Sequence, residues 1–126
     1  MSKSFDESQK KEIGNIVFIP GMNESGEVIS YVATTAQGGY GGDISFSLGI
    51  GMDGKITGLK IMNQQETPGL GAKISNEDWQ KLWIGRDASY QFNKSVDAFA
   101  GATISPTAVY TGIERVLTAF NEEVIK

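Results

Sequence analysis

Residues 43–50, Asp-Ile-Ser-Phe-Ser-Leu-Gly-Ile, decide the fold: Ile44, Phe46, Leu48 and Ile50 alternate with Asp43, Ser45, Ser47 and Gly49. A side-chain period of two is the mark of a strand with one face in the core and one in water. Downstream, Asp53-Gly54 is a tight hairpin signal, and Ile56 to Met62 supplies the returning strand. Upstream, Val28 to Thr35 reads as a strand, and Ile16 to Ile19 as a shorter one ended by Pro20-Gly21, with Met22 to Glu27 as the turn between them. The glycine-rich Gln37 to Gly42 (QGGYGG) is too glycine-rich for regular structure; it either brings backbone close to another group or makes a wide turn. A meander of three or four antiparallel strands follows.

Helices are expected only after the strands. Asn76 is placed to cap a short helix holding Trp79, Leu82 and Trp83 and closed by Gly85. Ser89 to Phe92 is a candidate edge strand. Ser105-Pro106 reads as a cap followed by the first helical residue, and Val109, Ile113, Val116, Leu117, Phe120 and Val124 fall at helical spacing to the C-terminus. Such an amphipathic helix needs a sheet to cover. The fold class is therefore α+β: a twisted antiparallel sheet packed by a long C-terminal helix and a shorter one. Residues 1–14 read as a polar linker or short helix and 15–126 as one domain, the ordinary outcome for 126 residues.

Composition narrows the chemistry. The chain has no Cys and no His, which removes disulfides, thiolate nucleophiles, cysteine-held clusters, Ser-His-Asp catalysis and histidine-ligated haem or zinc. Carboxylates, Lys, Tyr and hydroxyls remain, a set suited to holding a cofactor that brings its own reactivity. A net charge of −4 without a Lys/Arg cluster speaks against a nucleic-acid partner. No stretch approaches the ~20 apolar residues of a membrane-spanning helix, and MSKSFDESQKK lacks a signal-peptide core. A polar lead-in of this kind also fits a domain whose anchor has been removed.

Two segments and a scattered set of aromatics could carry function. Asp97-Ala98-Phe99-Ala100-Gly101-Ala102-Thr103 runs into the last helix, where exposed amides and the positive end of the dipole favour a phosphate; the plain alternative is a tight helix entry that binds nothing. Glu66-Thr67-Pro68-Gly69-Leu70-Gly71, followed by Ala72-Lys73, looks superficially like a phosphate loop, but it lacks the G-x-x-x-x-G-K-[ST] spacing and is otherwise a rigid surface loop. Trp79, Trp83, Phe92 and Phe99 are either core residues or stacking partners for a planar ligand, the core being the commoner fate.

D-x-x-A-G-A-T at Asp97 to Thr103 resembles the flavinylation motif of the FMN-binding domain family, represented by the G subunit of the Rnf complex and the C subunit of the sodium-pumping NADH:quinone oxidoreductase. GYGG (Gly39 to Gly42), DGKI (Asp53 to Ile56) and ETPGLG (Glu66 to Gly71) match in the same order, so the resemblance covers roughly residues 26–125. It implies FMN joined by a phosphoester to Thr103, attached by an external flavin transferase that takes it from FAD. It also implies transferase recognition, with its magnesium, through Asp97, Gly101, Ala102 and Thr103. Cofactor contacts are expected from Gly101, Ala102, Ile104, Ser105, Glu66, Thr67, Pro68, Gly69 and Leu70, and no metal site on the chain itself. The position of Ala100 usually holds Ser or Thr in the family, and that of Gln64 often holds His, so any part those side chains play is lost here. An unassisted Thr hydroxyl is a weak nucleophile, and with no His to act as base the chain is not expected to flavinylate itself.

The implied function is electron transfer within a membrane-associated, ion-transporting redox complex, on the extracytoplasmic face, with redox subunits as partners rather than as a stand-alone enzyme. Two alternatives stand beside it. One is a sensory or structural FMN-binding domain without net electron flow; the other is a free-standing flavin reductase, for which no G-x-G-x-x-G fingerprint is present.

Overall fold

A computed structural model describes residues 4–66, 68, 71–99 and 103–124. Its sheet is antiparallel throughout. Strands β1 (Ser4–Phe5), β2 (Lys11–Ile13), β3 (Ile16–Met22), β4 (Val28–Gly38), β5 (Asp43–Gly51) and β6 (Ile56–Asn63) are ordered β1-β3-β4-β5-β6, with β2 also paired to β3. The meander β3 to β6 follows from chain order because each connection is short. At the β5–β6 turn Gly54 takes φ of 84° and its amide donates to the Gly51 carbonyl at 2.9 Å, the conformation for which Asp53-Gly54 is suited.

The alternation in β5 holds: Ile44, Phe46, Leu48 and Ile50 are fully buried. Helix α3 (Ile104–Ala119) lies over them with Val109, Ile113, Val116 and Leu117 buried, and continues as a π-helical turn, Phe120–Val124. Gly112 sets how closely α3 approaches the sheet, since a Cβ there would sit 2.8 Å from Cε2 of Phe46. Phe120 closes the far end against Phe18 and Tyr31, with centroids 6.0 and 5.5 Å away.

Arg115 of α3 ties the helix to the strands. It donates to Asn15 Oδ1 at 2.6 Å, the Ala36 carbonyl at 3.0 Å, Thr35 Oγ1 at 3.3 Å and Gln37 Oε1 at 3.3 Å. Helix α1 (Glu77–Lys81) is capped by the Asn76 side chain, which accepts from the Trp79 amide at 3.1 Å, and it rests against β6. A four-residue helix, α2 (Lys94–Asp97), precedes the motif segment.

Several sequence expectations are corrected. Residues 4–13, read as linker or short helix, contribute β1, a 3-10 turn at Glu7–Gln9 and β2 to the sheet. Pro20 and Gly21 do not end β3, because Pro20 lies where the flanking chain switches from β2, opposite Ile16 to Phe18, to β1, opposite Gly21 and Met22. A missing ladder donor is tolerated at such a gap. Ser89 to Phe92 forms no strand; the Asp87 side chain accepts from the Ser89 amide at 2.9 Å and curls this stretch into an irregular loop. The cap of α3 is Thr103 and not Ser105, and Pro106 falls in the first turn, where its missing N–H has no helical partner to lose.

Candidate functional site: the entrance to helix α3

Three segments distant in sequence meet at the start of α3, and the Glu66 carboxylate joins them. Glu66 is 4% exposed. Its Oε1 accepts from the Tyr40 amide at 2.8 Å and from the Ser105 hydroxyl, and its Oε2 accepts from the Gly41 amide at 2.7 Å. The Glu66 amide in turn donates to Gln64 Oε1 at 2.8 Å. Burial pushes the carboxyl pKa up, but the Ser105 hydroxyl and the two amides outweigh it and hold Glu66 below its ordinary value, so it stays ionised at neutral pH.

Glycines make this arrangement possible. A Cβ on Gly39 would lie 2.6 Å from Ile44 Cδ1 and 2.7 Å from Glu66 Oε1; one on Gly41 would collide with the Gln65 carbonyl, and one on Gly71 with the Ser105 hydroxyl. The close backbone approach expected of QGGYGG is thus realised, and its partner is Glu66.

Thr103 stands in front of this frame. It is half-buried, has φ −95° and ψ −28° as the N-cap of α3, and its side chain makes no capping bond, while its carbonyl accepts from the Thr107 amide at 3.0 Å and hydroxyl at 2.7 Å. The first turn of α3 carries no acidic side chain of its own, and the one carboxylate bonded to it, Glu66, reaches it through the Ser105 hydroxyl. Ile104 beside it is 58% exposed and Pro68 is also exposed, whereas Ser105 is buried with its hydroxyl committed to Glu66. Gly101, Ala102, Thr67, Gly69 and Leu70, also expected at the site, lie outside the described residues.

Asp97 is 0% exposed, so its carboxylate is enclosed rather than presented to solvent. Its Oδ1 pairs with Arg86 Nη1 at 2.9 Å, and its Oδ2 accepts from the Tyr90 hydroxyl and, at 2.9 Å, from the Asn93 amide. Arg86 is sandwiched between Trp83 and Tyr90, with ring centroids 4.6 and 4.0 Å away, and Trp79 Nε1 donates to the Asp97 carbonyl at 2.7 Å. Burial, and then the bond to Asp97, raise the Tyr90 pKa. This network pins the segment that leads to Thr103. Contact of the Asp97 carboxylate with another protein would first require its bond to Arg86 to open.

The aromatic residues considered for stacking divide likewise. Trp79 and Trp83 are buried core, and Phe92 and Phe99 pack on that cluster, 5.5 Å from Tyr110 and 5.7 Å from Trp79 respectively. Sequence reading missed Arg86, which carries no local signal, and the role of the Tyr40 and Gly41 amides, for which the glycines were the only hint.

Comparison with known proteins gives the family and the fold. Residues 39–118 match the FMN-binding domain family, a span that holds Glu66, Thr103 and every residue bonded to them. The G subunit of an ion-translocating oxidoreductase complex from Shewanella piezotolerans is 33% identical over 116 residues, covering 83% of this chain and 54% of the relative. The G subunit of a Na(+)-translocating ferredoxin:NAD(+) oxidoreductase complex from Acetobacterium woodii is 34% identical over 107 residues, covering 76% and 51%. The chain spans about half the length of these relatives. The crystal structure of Shewanella oneidensis NqrC superposes with a TM-score of 0.69 over 89% of this chain and 64% of that one, at 18% identity, and so shares the fold. With a family match over 80 contiguous residues, 39 through 118, and an α+β architecture shared with NqrC, the chain belongs to the FMN-binding domain family.

Proposed function

We propose that this domain carries FMN on Thr103 through a phosphoester and passes electrons between redox subunits of an Rnf- or Nqr-type membrane complex. The observation that carries the reading is the Thr103 hydroxyl, held at the N-terminus of α3 and unclaimed by any capping bond. The residues fit the group: a phosphate at this point would face a helix N-terminus with no acidic residue in its first turn, in front of a frame whose glycines leave no room for further side chains.

Attachment joins Thr103 Oγ1 to the FMN phosphorus of FAD, with AMP leaving and the hydroxyl proton lost. No His stands by to take that proton, so an external flavin transferase supplies the base, and Thr103 with Gly101 and Ala102 forms what it recognises. Bound FMN supplies the redox chemistry. The chain's own residues hold it: Thr103 fixes the tether, the α3 amides stabilise the phosphate charge, and Glu66 and Ser105 keep the surrounding turns in register from behind. The relatives are subunits of ion-translocating oxidoreductase complexes, which supports redox subunits as the partners of this domain; the same reading puts it on the extracytoplasmic face. No helix among the described residues is long and apolar enough to cross a membrane.

The test is intact mass after co-expression with a flavin transferase. One added FMN less one water is expected, lost in Thr103→Ala; an unmodified chain beside an active transferase refutes the reading. Potentiometry of the loaded domain then separates an electron carrier, which cycles reversibly, from a sensory or structural domain.

A further inference from the structure

Every described aromatic residue except one has an account in the fold. Phe18, Tyr31 and Phe120 close one end of the core; Trp79, Trp83, Tyr90, Phe92, Phe99 and Tyr110 form a contiguous cluster; Phe46 lies under Gly112, and Phe5 leans over Gly21. Tyr40 is the exception. Its side chain is 70% exposed and, among the described residues, its ring pairs with no other aromatic.

An exposed tyrosine on a loose loop would need no explanation. The loop of Tyr40 is not loose: the Gly39 amide donates to the Gly42 carbonyl at 2.8 Å, and the Tyr40 and Gly41 amides are both bound by Glu66. The position is also specific. One oxygen, Glu66 Oε1, accepts from both the Tyr40 amide and the Ser105 hydroxyl, two residues past Thr103. With about 3.8 Å between successive Cα atoms, the backbone of Tyr40 lies on the order of 10 Å from that of Thr103. Ile104, the first residue of α3 and the neighbour of Thr103 in the chain, is a second exposed apolar side chain.

We propose that Tyr40 covers a face of the isoalloxazine ring of the flavin held on Thr103, with Ile104 beside it, an inference that rests on the function proposed above. A planar conjugated ring on a ribityl-phosphate arm is an occupant that reaches from Thr103 to a rigidly mounted phenol and gains by stacking there. Tyr40 thereby takes the place of the four aromatics singled out in the sequence, of which Trp79 and Trp83 are buried and Phe92 and Phe99 pack, partly buried, against the core. Glu66 sets the distance between tether and platform without touching either the phosphate or the ring.

Flavin emission tests this, because an electron-rich phenol in contact with the ring quenches it. Wild type, Tyr40→Leu and Tyr40→Phe are each loaded by transferase co-expression, with attachment at Thr103 verified by intact mass and peptide mapping so that emission is read per attached flavin. The expected result is quenched emission in wild type, a several-fold rise with a changed visible circular dichroism in Tyr40→Leu, and a rise with the dichroism kept in Tyr40→Phe, which retains the stacking surface. If Thr103 is loaded and the emission and dichroism of both variants equal those of wild type, this inference falls while the tether stands. If wild type acquires no flavin at all, the proposed function falls and takes this inference with it.

Discussion

Replacing Glu66 by Gln keeps the size of the side chain and removes its charge, and the structure sets the consequence. The carboxylate accepts three hydrogen bonds, from two backbone amides and a hydroxyl, with both oxygens in use. Gln offers a single acceptor oxygen, so its NH2 must face at least one donor. The orphaned donor costs about 1–3 kcal/mol, and weakening the remaining bonds from charge-assisted to neutral adds about 1 kcal/mol. A total of about 2–4 kcal/mol lowers the melting temperature of a domain this size by roughly 6–20 °C. The pH dependence carries a second signature. The folded pKa of Glu66 is depressed below its ordinary 4.5, so its contribution is present above that value and is lost as pH falls through the folded pKa. The gap between wild type and Glu66→Gln, followed by circular dichroism melts from neutral pH downwards, should therefore be widest at neutrality and narrow as the pH falls below 4.5 and through the depressed folded pKa. Equal melting at neutral pH, or a gap unchanged into strong acid, would refute the assignment of the clamp to an ionised carboxylate.

Two further outcomes follow from the packing. Arg86→Met strands Asp97 in the interior without its cation and should cost about 3 kcal/mol in urea denaturation, with part of the loss recovered in the Arg86→Met/Asp97→Asn double variant; a neutral single variant would deny the pair its structural role. Gly112→Ala gains about 1 kcal/mol of helix propensity but drives a methyl to 2.8 and 3.0 Å from the Phe46 ring and 3.1 Å from Gln37 Cβ, a cost of about 1–3 kcal/mol. A melt at or below that of wild type is expected, and a clearly raised one would show that the helix has room to move.

The parts of the fold that the sequence announces are those governed by local periodicity. Residues 43–50 announce β5 because alternate side chains enter the core, Asp53-Gly54 announces its hairpin because glycine alone reaches positive φ without strain, and Val109 to Phe120 announce α3 because one stripe is apolar. What misled was context. Residues 4–13 look like a linker because they are polar, yet they are recruited by the open edge of β3. Ser105-Pro106 looks like a helix start because the competing use of the Ser105 hydroxyl depends on Glu66, 39 positions away. Thr103 and Glu66 were singled out only through family resemblance, and of the two it is Glu66 whose buried bonds have no sign in the sequence. Arg86 was not visible, because a single cation reveals nothing of the buried carboxylate that it will meet.

The clamp at residue 66 works with amides and a hydroxyl where many proteins would place an imidazole or an ammonium group. Its only ionisable member changes state well on the acid side of neutrality, and the chain has neither thiols nor imidazoles. The frame behind Thr103 is accordingly silent across the physiological range of acidity and to mild oxidants. A proton uptake recorded near neutrality would therefore have to come from somewhere other than this clamp, and Glu114, whose carboxyl pKa burial pushes up, is the first group on the chain to replace in order to find its source.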